Sequence, residues 1–374
     1  MTSGWSFAVL LVGVASINAL GCGQAPYVAA GQRVHAALEN SDRGYVLWLP
    51  PSYDGSTPTP VIFSFHGAGG TGEQQADLDL LTTPEFNTDH ILVYPESAGG
   101  RSGGLWEVSP EVVDVDDVAY TLQIFDQIRD DLCIDETRVF ATGMSQGGGM
   151  TNLLACDPSA STRFAAYAPV AGSYYFEEDA DGECDVDNVA FQCSPGRDHI
   201  PLLAFHGGDD GTIPYEGNSR RGGCVPNVGH WISQWAVREG LGPDPTETEE
   251  VTEEATRYLY GGGDEQGLVS FVYAGREVGH VWPATVGGRG DRGTASFNAS
   301  SLIMEFFRDH QLSENEDDSQ NGPTSTGAPT SAPTPTSSTP PDPEESDTEG
   351  KAPAFRAEGA IWVSALLLLY TFFL

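Results

Sequence analysis

Short apolar runs alternate along this chain with longer stretches in which apolar residues recur at helical spacing. Buried strands are read at 45–49, at 60–66 with its Val61-Ile62-Phe63-Ser64-Phe65 core, and at 91–94, 138–142, 165–170, 201–205 and 269–273. Between them, residues 115–132 carry Val118, Leu122, Phe125, Ile128 and Leu132 at close to a 3.6-residue period. Residues 147–154 and 300–310 read as two further helices, and Trp231 and Trp235 mark another helical stretch. Strands that are apolar throughout, rather than alternating, belong in a parallel sheet covered on both faces. The pattern therefore predicts an α/β fold, with a mainly parallel sheet flanked by helices. In such sheets the chemistry sits beyond the carboxyl ends of the strands.

The two ends break the pattern. Residues 1–21 are apolar and finish on small residues, as a secretory signal peptide does, although a basic leading segment is missing. A lipid-anchored Cys22 competes with this reading, but Ala19 stands where such a site prefers Leu. Residues 22–312 form one domain with no internal repeat or linker. Residues 313–349 are a Ser/Thr/Pro-rich stalk and spacer that lacks the apolar surface to fold. Residues 350–374 read as a GPI-anchor signal, because the tail from Ala360 falls short of the roughly 20 residues that span a bilayer. Ser346 is the expected attachment residue, with Gly350 second. The expected location is the cell surface, with membrane contact only through this anchor.

Composition narrows the partners. The chain has 374 residues, with 54 acidic against 17 Lys plus Arg, and Lys351 is its one lysine. A net charge of −37 would repel phosphate backbones and argues against nucleic acid. Six cysteines (Cys22, Cys133, Cys156, Cys184, Cys193 and Cys224) make no CxxC pair, and in an exported chain they read as disulfides with roughly 15 possible pairings. No metal constellation or phosphate loop appears, so no cofactor is expected. Asn298-Ala299-Ser300 is a candidate N-glycosylation site.

The chemistry-bearing motifs fall at strand ends. After the strand 138–142 comes Gly143-Met144-Ser145-Gln146-Gly147, followed by Gly148, Gly149 and a helix. This is GxSxG in its strand–turn–helix context, in which a strained turn exposes a nucleophilic serine. A serine hydroxyl needs a base, and the base needs an orienting carboxylate. Downstream of Ser145, the strand 201–205 runs into His206-Gly207-Gly208-Asp209-Asp210, where either aspartate is placed as the acid. Of the eight histidines, His280 alone sits in a loop after a late strand, and it is the expected base. Order and spacing thus match the Ser–acid–His sequence of the α/β-hydrolase fold. Oxyanion donors are expected at the backbone amides of Gln146 and of Ala68, the latter within His66-Gly67-Ala68-Gly69-Gly70. His66 itself reads as structural. Tyr94, Trp106 and Trp282, with Tyr174 and Tyr175 as further aromatics, are candidates to stack on a substrate ring.

At these residues the sequence resembles fungal feruloyl esterases of the carbohydrate-esterase type, which share features with extracellular polyhydroxybutyrate depolymerases. The resemblance runs through His66-Gly67, Asp116-Asp117-Val118, Ala141 to Gly148, and Phe205-His206-Gly207-Gly208 to Ile213-Pro214-Tyr215. It continues through Arg220-Arg221, His230-Trp231, Trp235-Ala236, Gly279-His280 and Trp282-Pro283. The family's HGxxDxxIPY pattern puts the acid four residues after its histidine, which selects Asp210 over Asp209. Gly21-Cys22-Gly23 looks like the family's mature start. The resemblance implies hydrolysis of hydroxycinnamate (feruloyl) esters on plant cell-wall polysaccharide, or of a small ester, without a cofactor. Acetylated xylan and polyesters are the alternative substrates, and an inactive cell-surface binding protein is the rival class. The stalk and anchor depart from a freely secreted enzyme and leave room for a substrate at the cell's own surface.

Overall fold

The computed structural model describes residues 20–98, 103–178, 182–286 and 294–313. The signal segment, the stalk and the anchor signal with Ser346 and Gly350 lie outside the described residues. The chain divides into compact units Met1–Ser319 and Gln320–Leu374, and every described residue falls in the first.

In chain order the elements are strands β1 (Arg33–Ala37), β2 (Gly44–Trp48) and β3 (Thr59–Phe65), helix α1 (Gly72–Asp79), strand β4 (Ile91–Pro95) and helix α2 (Asp117–Asp131). Then come β5 (Ile134–Met144), α3 (Gln146–Cys156), β6 (Ala166–Val170), β7 (Leu202–His206), β8 (Asn218–Arg220), β9 (Gly223–Val225) and α4 (Val228–Arg238). Strands β10 (Glu247–Glu250), β11 (Thr256–Tyr260) and β12 (Val269–Tyr273) precede the closing helix α5 (Ala299–Arg308). Ten strands form one sheet in the order β1-β2-β4-β3-β5-β6-β7-β12-β11-β10, and β8 and β9 make a separate hairpin. The six strands from β4 to β12 are parallel to one another, while both edges are antiparallel. This is an α/β-hydrolase sheet.

Strand residues alternate between its two faces. Val139 and Ala141 of β5 pack with Ile124, Phe125 and Ile128 of α2, Leu154 of α3, and Trp231 and Trp235 of α4. Phe140 points the other way, into a layer with Ala76 of α1 and Ile303, Met304 and Phe307 of α5, and its ring stacks on Phe307 at 4.5 Å. The interior strands β3, β4, β6 and β7 are buried at every position, which is why they were legible as apolar runs.

The elements absent from the hydrophobic pattern are those with little to bury. β10 is Glu-Thr-Glu-Glu, exposed throughout and held by its ladder to β11. β1 is a partly exposed edge strand. α1 starts at a Thr71 cap whose side chain accepts from the Gln74 amide, and it buries Gln75 and Asp79 rather than an apolar stripe. In α2 the helix begins after Asp116, whose carboxylate caps the Ala119 amide at 2.7 Å, so Val115 stays outside it.

Three disulfides join Cys22 to Cys133, Cys156 to Cys193, and Cys184 to Cys224. They fit an oxidising, exported setting. No helix among the described residues is long and apolar enough to cross a membrane. The first bridge spans 111 residues and ties the start of the domain to the strand that leads to Ser145. Closing so long a loop limits the unfolded chain by about 5 kcal/mol on the chain-entropy account. Replacing Cys22 and Cys133 together by Ala should cost about 2–5 kcal/mol in denaturant unfolding. An unchanged midpoint would show that this bridge constrains little.

Candidate active site

Ser145 sits between β5 and α3 with φ 59° and ψ −120°, a backbone conformation that side-chain-bearing residues rarely adopt. The main chain there is pinned on both sides. The Ser145 amide donates to the Val170 carbonyl, and its own carbonyl accepts from Ser173 and Gly149, each at 3.0 Å. Glycine is needed around it because backbone crowds the turn. A β-carbon on Gly147 would stand 1.9 Å from the Phe65 carbonyl oxygen, and one on Gly148 would stand 2.8 Å from Cα of Gly172.

The candidate acid and base come from neighbouring strand ends. The loop after β7 carries Asp210 and the loop after β12 carries His280, and the parallel β7–β12 pairing sets them side by side. Gly208 donates to the Gly275 carbonyl and Asp209 to the Val278 carbonyl, both at 2.9 Å, knitting the loops together. Gly207 must lack a side chain because a β-carbon would stand 2.1 Å from the Val278 carbonyl oxygen. Nδ1 of His280 then lies 2.7 Å from Oδ2 of Asp210. Donation from Nδ1 to the carboxylate leaves Nε2 as the basic nitrogen. The other oxygen of Asp210 accepts the amides of Thr212 and Ile213 at 2.9 and 2.8 Å. Burial pushes the Asp210 carboxyl up, but the bond and charge of His280, the neighbouring His206 and the Ile213 amide outweigh it and hold it below the ordinary carboxylate range. Asp209 is exposed, and its carboxylate makes none of these bonds.

Ser145, His280, Ala68 and Gln146 all line one cavity of about 420 Å³. Gln146 is the first residue of α3, where an amide has no acceptor within the helix. Ala68 occupies the second position of a turn closed by Gly70 donating to Gly67 at 2.9 Å, with Gly69 at φ 70°. A β-carbon at Gly67 would stand 3.3 Å from Cβ of Ser145, so this loop passes directly over the serine.

The aromatic candidates need correcting. Trp106, Trp282 and Tyr94 are buried and lie outside the cavity lining. Each spends its polar atom inside the protein: Trp106 on the His66 carbonyl at 2.7 Å, Trp282 on the Ser300 hydroxyl at 2.9 Å, and Tyr94 on Asp79 at 3.1 Å. Tyr174 is stacked on Trp231 at 3.7 Å. Of the five aromatics only Tyr175 reaches the cavity, beside Leu78, Met144 and Ile213. Ser173 and Arg220 also line it, and neither was singled out as a site residue from the sequence. Asn298 is half-buried at the start of α5, with its carboxamide oxygen accepting from the Thr285 amide. No group of metal-ligating side chains occurs among the described residues.

No family model matches the chain. A protein named probable feruloyl esterase C from Aspergillus oryzae is 33% identical over 213 residues, covering 55% of this chain and 67% of that protein. This chain belongs to the feruloyl esterase family. As a member it is a carboxylic ester hydrolase. Feruloyl esterase D from Neurospora crassa is 29% identical over 239 residues, covering 61% of this chain and 74% of that protein. Among solved structures, an acetyl xylan esterase from Aspergillus awamori superposes with a TM-score of 0.49 and 19% identity, over 74% of this chain and 98% of that one.

His66, at the end of β3, shows why this family member holds a histidine beside the serine without needing it as base. Its Nδ1 bonds the Gly67 carbonyl at 2.7 Å, its Nε2 accepts the Ser97 amide at 3.2 Å, and its ring lies 4.8 Å from that of Trp106. Burial, only partly offset by the Gly67 carbonyl, holds its pKa down at about 4. Above pH 6.5 both folded and unfolded chains carry a neutral His66. As pH falls through 6.5 the unfolded chain takes up a proton that the folded one refuses until about pH 4. Stability is therefore lost over that window, by about 3 kcal/mol from this residue. The stability gap between wild type and His66→Gln should narrow by that amount between pH 7 and pH 4 in urea unfolding. A gap that stays constant would refute the assignment.

Proposed function

We propose that Ser145, His280 and Asp210 form the catalytic triad of a secreted carbohydrate esterase, and that its substrate is a hydroxycinnamate (feruloyl) ester on plant cell-wall polysaccharide. The observation that carries the reading is the short Asp210–His280 bond at the cavity that also holds Ser145, in a chain of the feruloyl esterase family. In this mechanism Ser145 Oγ attacks the ester carbonyl as its proton passes to Nε2 of His280. The tetrahedral oxyanion is received by the amides of Gln146 and Ala68. The bond to the sugar oxygen breaks, and His280 returns the proton to that oxygen, leaving an acyl-serine. Water then attacks the acyl carbon, its proton going to His280, and the acid departs as Ser145 is reprotonated. Asp210 fixes the imidazole tautomer and stabilises its cation without taking the proton.

Leu78, Met144 and Ile213 with the ring of Tyr175 offer an apolar wall for the acyl group. We extend the reading to location. A chain stapled by disulfides, exported by residues 1–21 and carrying the signal at 350–374, would act at the cell surface, with Asn298 as its glycosylation site and Ser346 as the anchored residue.

The test is hydrolysis of methyl ferulate, p-nitrophenyl acetate and a polyhydroxybutyrate film by the purified chain. Ser145→Ala should lower kcat/KM on methyl ferulate at least about a thousandfold with an unchanged unfolding midpoint, and Asp210→Asn should approach the same loss. Residual turnover near wild type would remove Ser145 as nucleophile. Activity on acetate or polyester alone would keep the triad and overturn the acyl group.

A further inference from the structure

Three of the residues that line the cavity carry a polar side-chain atom with no hydrogen-bond partner among the described residues: Nε2 of Gln146, Oγ of Ser173 and Nε of Arg220. Gln146 is 2% exposed and Ser173 0%, so neither is a surface group that bulk water already serves. Gln146 is held by its own oxygen, which accepts the Trp106 amide at 3.3 Å. All three atoms can donate, so this cavity suits a ligand rich in acceptor oxygens. Buried donors left unpaired cost free energy, which makes three of them around one cavity informative.

Arg220 stands apart in charge as well. The chain carries 54 acidic residues against 17 basic ones, yet among the described residues no carboxylate pairs with Arg220 and none lines the cavity. Its neighbour Arg221 is paired with Glu111 at the rim. Arg220 is also held in place. It ends β8, which pairs with β9, and Cys224 of β9 is tied to Cys184 by a disulfide. Cys224 further exchanges two backbone hydrogen bonds with Phe176, at 2.8 and 2.9 Å, next to Tyr175. Beyond Ser173 and Tyr175 a second cavity of about 300 Å³ continues, lined by Asn152, Glu177 and Gln192 among others. Ser173 and Tyr175 line both cavities, so the site adjoins further space, as a sugar chain requires.

We propose that Arg220, Ser173 and Gln146 form the subsite for the sugar half of the ester, and that the preferred sugar carries a carboxylate, that is, a uronate. The inference rests on the esterase reading of Ser145 and names the alcohol side of its substrate. Arg220 is then a specificity-determining residue: its guanidinium takes the uronate carboxylate, and Ser173 binds a ring or hydroxyl oxygen.

The test compares methyl glucoside and methyl glucuronoside esterified at the same ring hydroxyl, each prepared as ferulate and as acetate. The full chain should favour the uronoside by about tenfold or more in kcat/KM, as one charge-assisted hydrogen bond allows. Arg220→Gln should bring the ratio to about one, Arg220→Lys should restore part of it, and raising salt from 0.05 to 0.5 M should erode it. Ser173→Ala should lower kcat/KM for both sugar esters and leave their ratio standing. Binding of the same esters to the Ser145→Ala protein by calorimetry gives the comparison with chemistry removed. Equal values for the two sugars in wild type, or a preference that survives Arg220→Gln, would overturn the proposal. Turnover of the acetates with none of the ferulates would sink the feruloyl reading instead, and the sugar preference would then be judged on the acetates.

Discussion

Everything at this site hangs on a four-way crowding of main chain around Ser145. The β3 end, the β6 end, the turn itself and the first turn of α3 approach so closely that residues 143 and 147–149 have no room for side chains. A serine at positive φ costs on the order of 1–3 kcal/mol, and such strain persists only where the surroundings over-determine it. Here they do so with three backbone hydrogen bonds to that single residue, from strand and helix partners that the sheet core holds fixed. The same crowding lays the 66–70 loop over the serine and brings Ala68 and Gln146 into one cavity. The placement of Ser145 and of the Ala68 and Gln146 amides is therefore a consequence of one packing constraint.

The acid and base obey a second constraint, the parallel pairing of β7 with β12. It joins residues 70 positions apart and lets glycines 207 and 208 slide the acid loop against the histidine loop. His206 contributes from beneath. Its Nε2 meets the Ile213 carbonyl at 2.8 Å and stands 3.4 Å from Asp210 Oδ2. It thus spans the loop that Asp210 closes with its own amide bonds, and burial pulls the pKa of its ring down. The HGxxDxxI spacing has a mechanical sense: histidine, glycines and isoleucine hold the aspartate from three sides.

The legible parts of the sequence were those in which one physical demand dominates. Interior strands must be apolar on both faces, so β3, β6 and β7 stood out. The strained turn excludes side chains, so its glycines announced it. Where two demands compete, the signal failed. Trp106 and Trp282 lie in loops near the cleft, yet an indole is large, apolar and has one donor to satisfy, and the interior supplied both packing and acceptor. β10 shows the opposite case, a strand set by its ladder to β11 with no apolar residue to betray it. The pairing of six cysteines is a property of three-dimensional proximity, and spacing alone does not contain it. Ser173 and Arg220 were missed for a related reason, since an unpaired donor is visible only once all its neighbours are known.

The mix of apolar and polar residues around the cavity bears on what such an enzyme can discriminate. An apolar wall of Leu78, Met144 and Ile213 distinguishes acyl groups by volume, and a methylene more or less is worth only about 1–3 kcal/mol in a hydrophobic pocket. With Trp106, Trp282 and Tyr94 committed to the core, Tyr175 is the one of the five candidate aromatics that lines the cavity. Polar groups discriminate more sharply, because a ligand lacking the matching oxygen leaves buried donors unpaired. In the proposed subsite, Gln146, Ser173 and Arg220 are the residues that would supply that kind of readout. On the proposed reading, this site accordingly favours tolerance toward the acid and stringency toward the alcohol, the reverse of what a name based on the acid suggests.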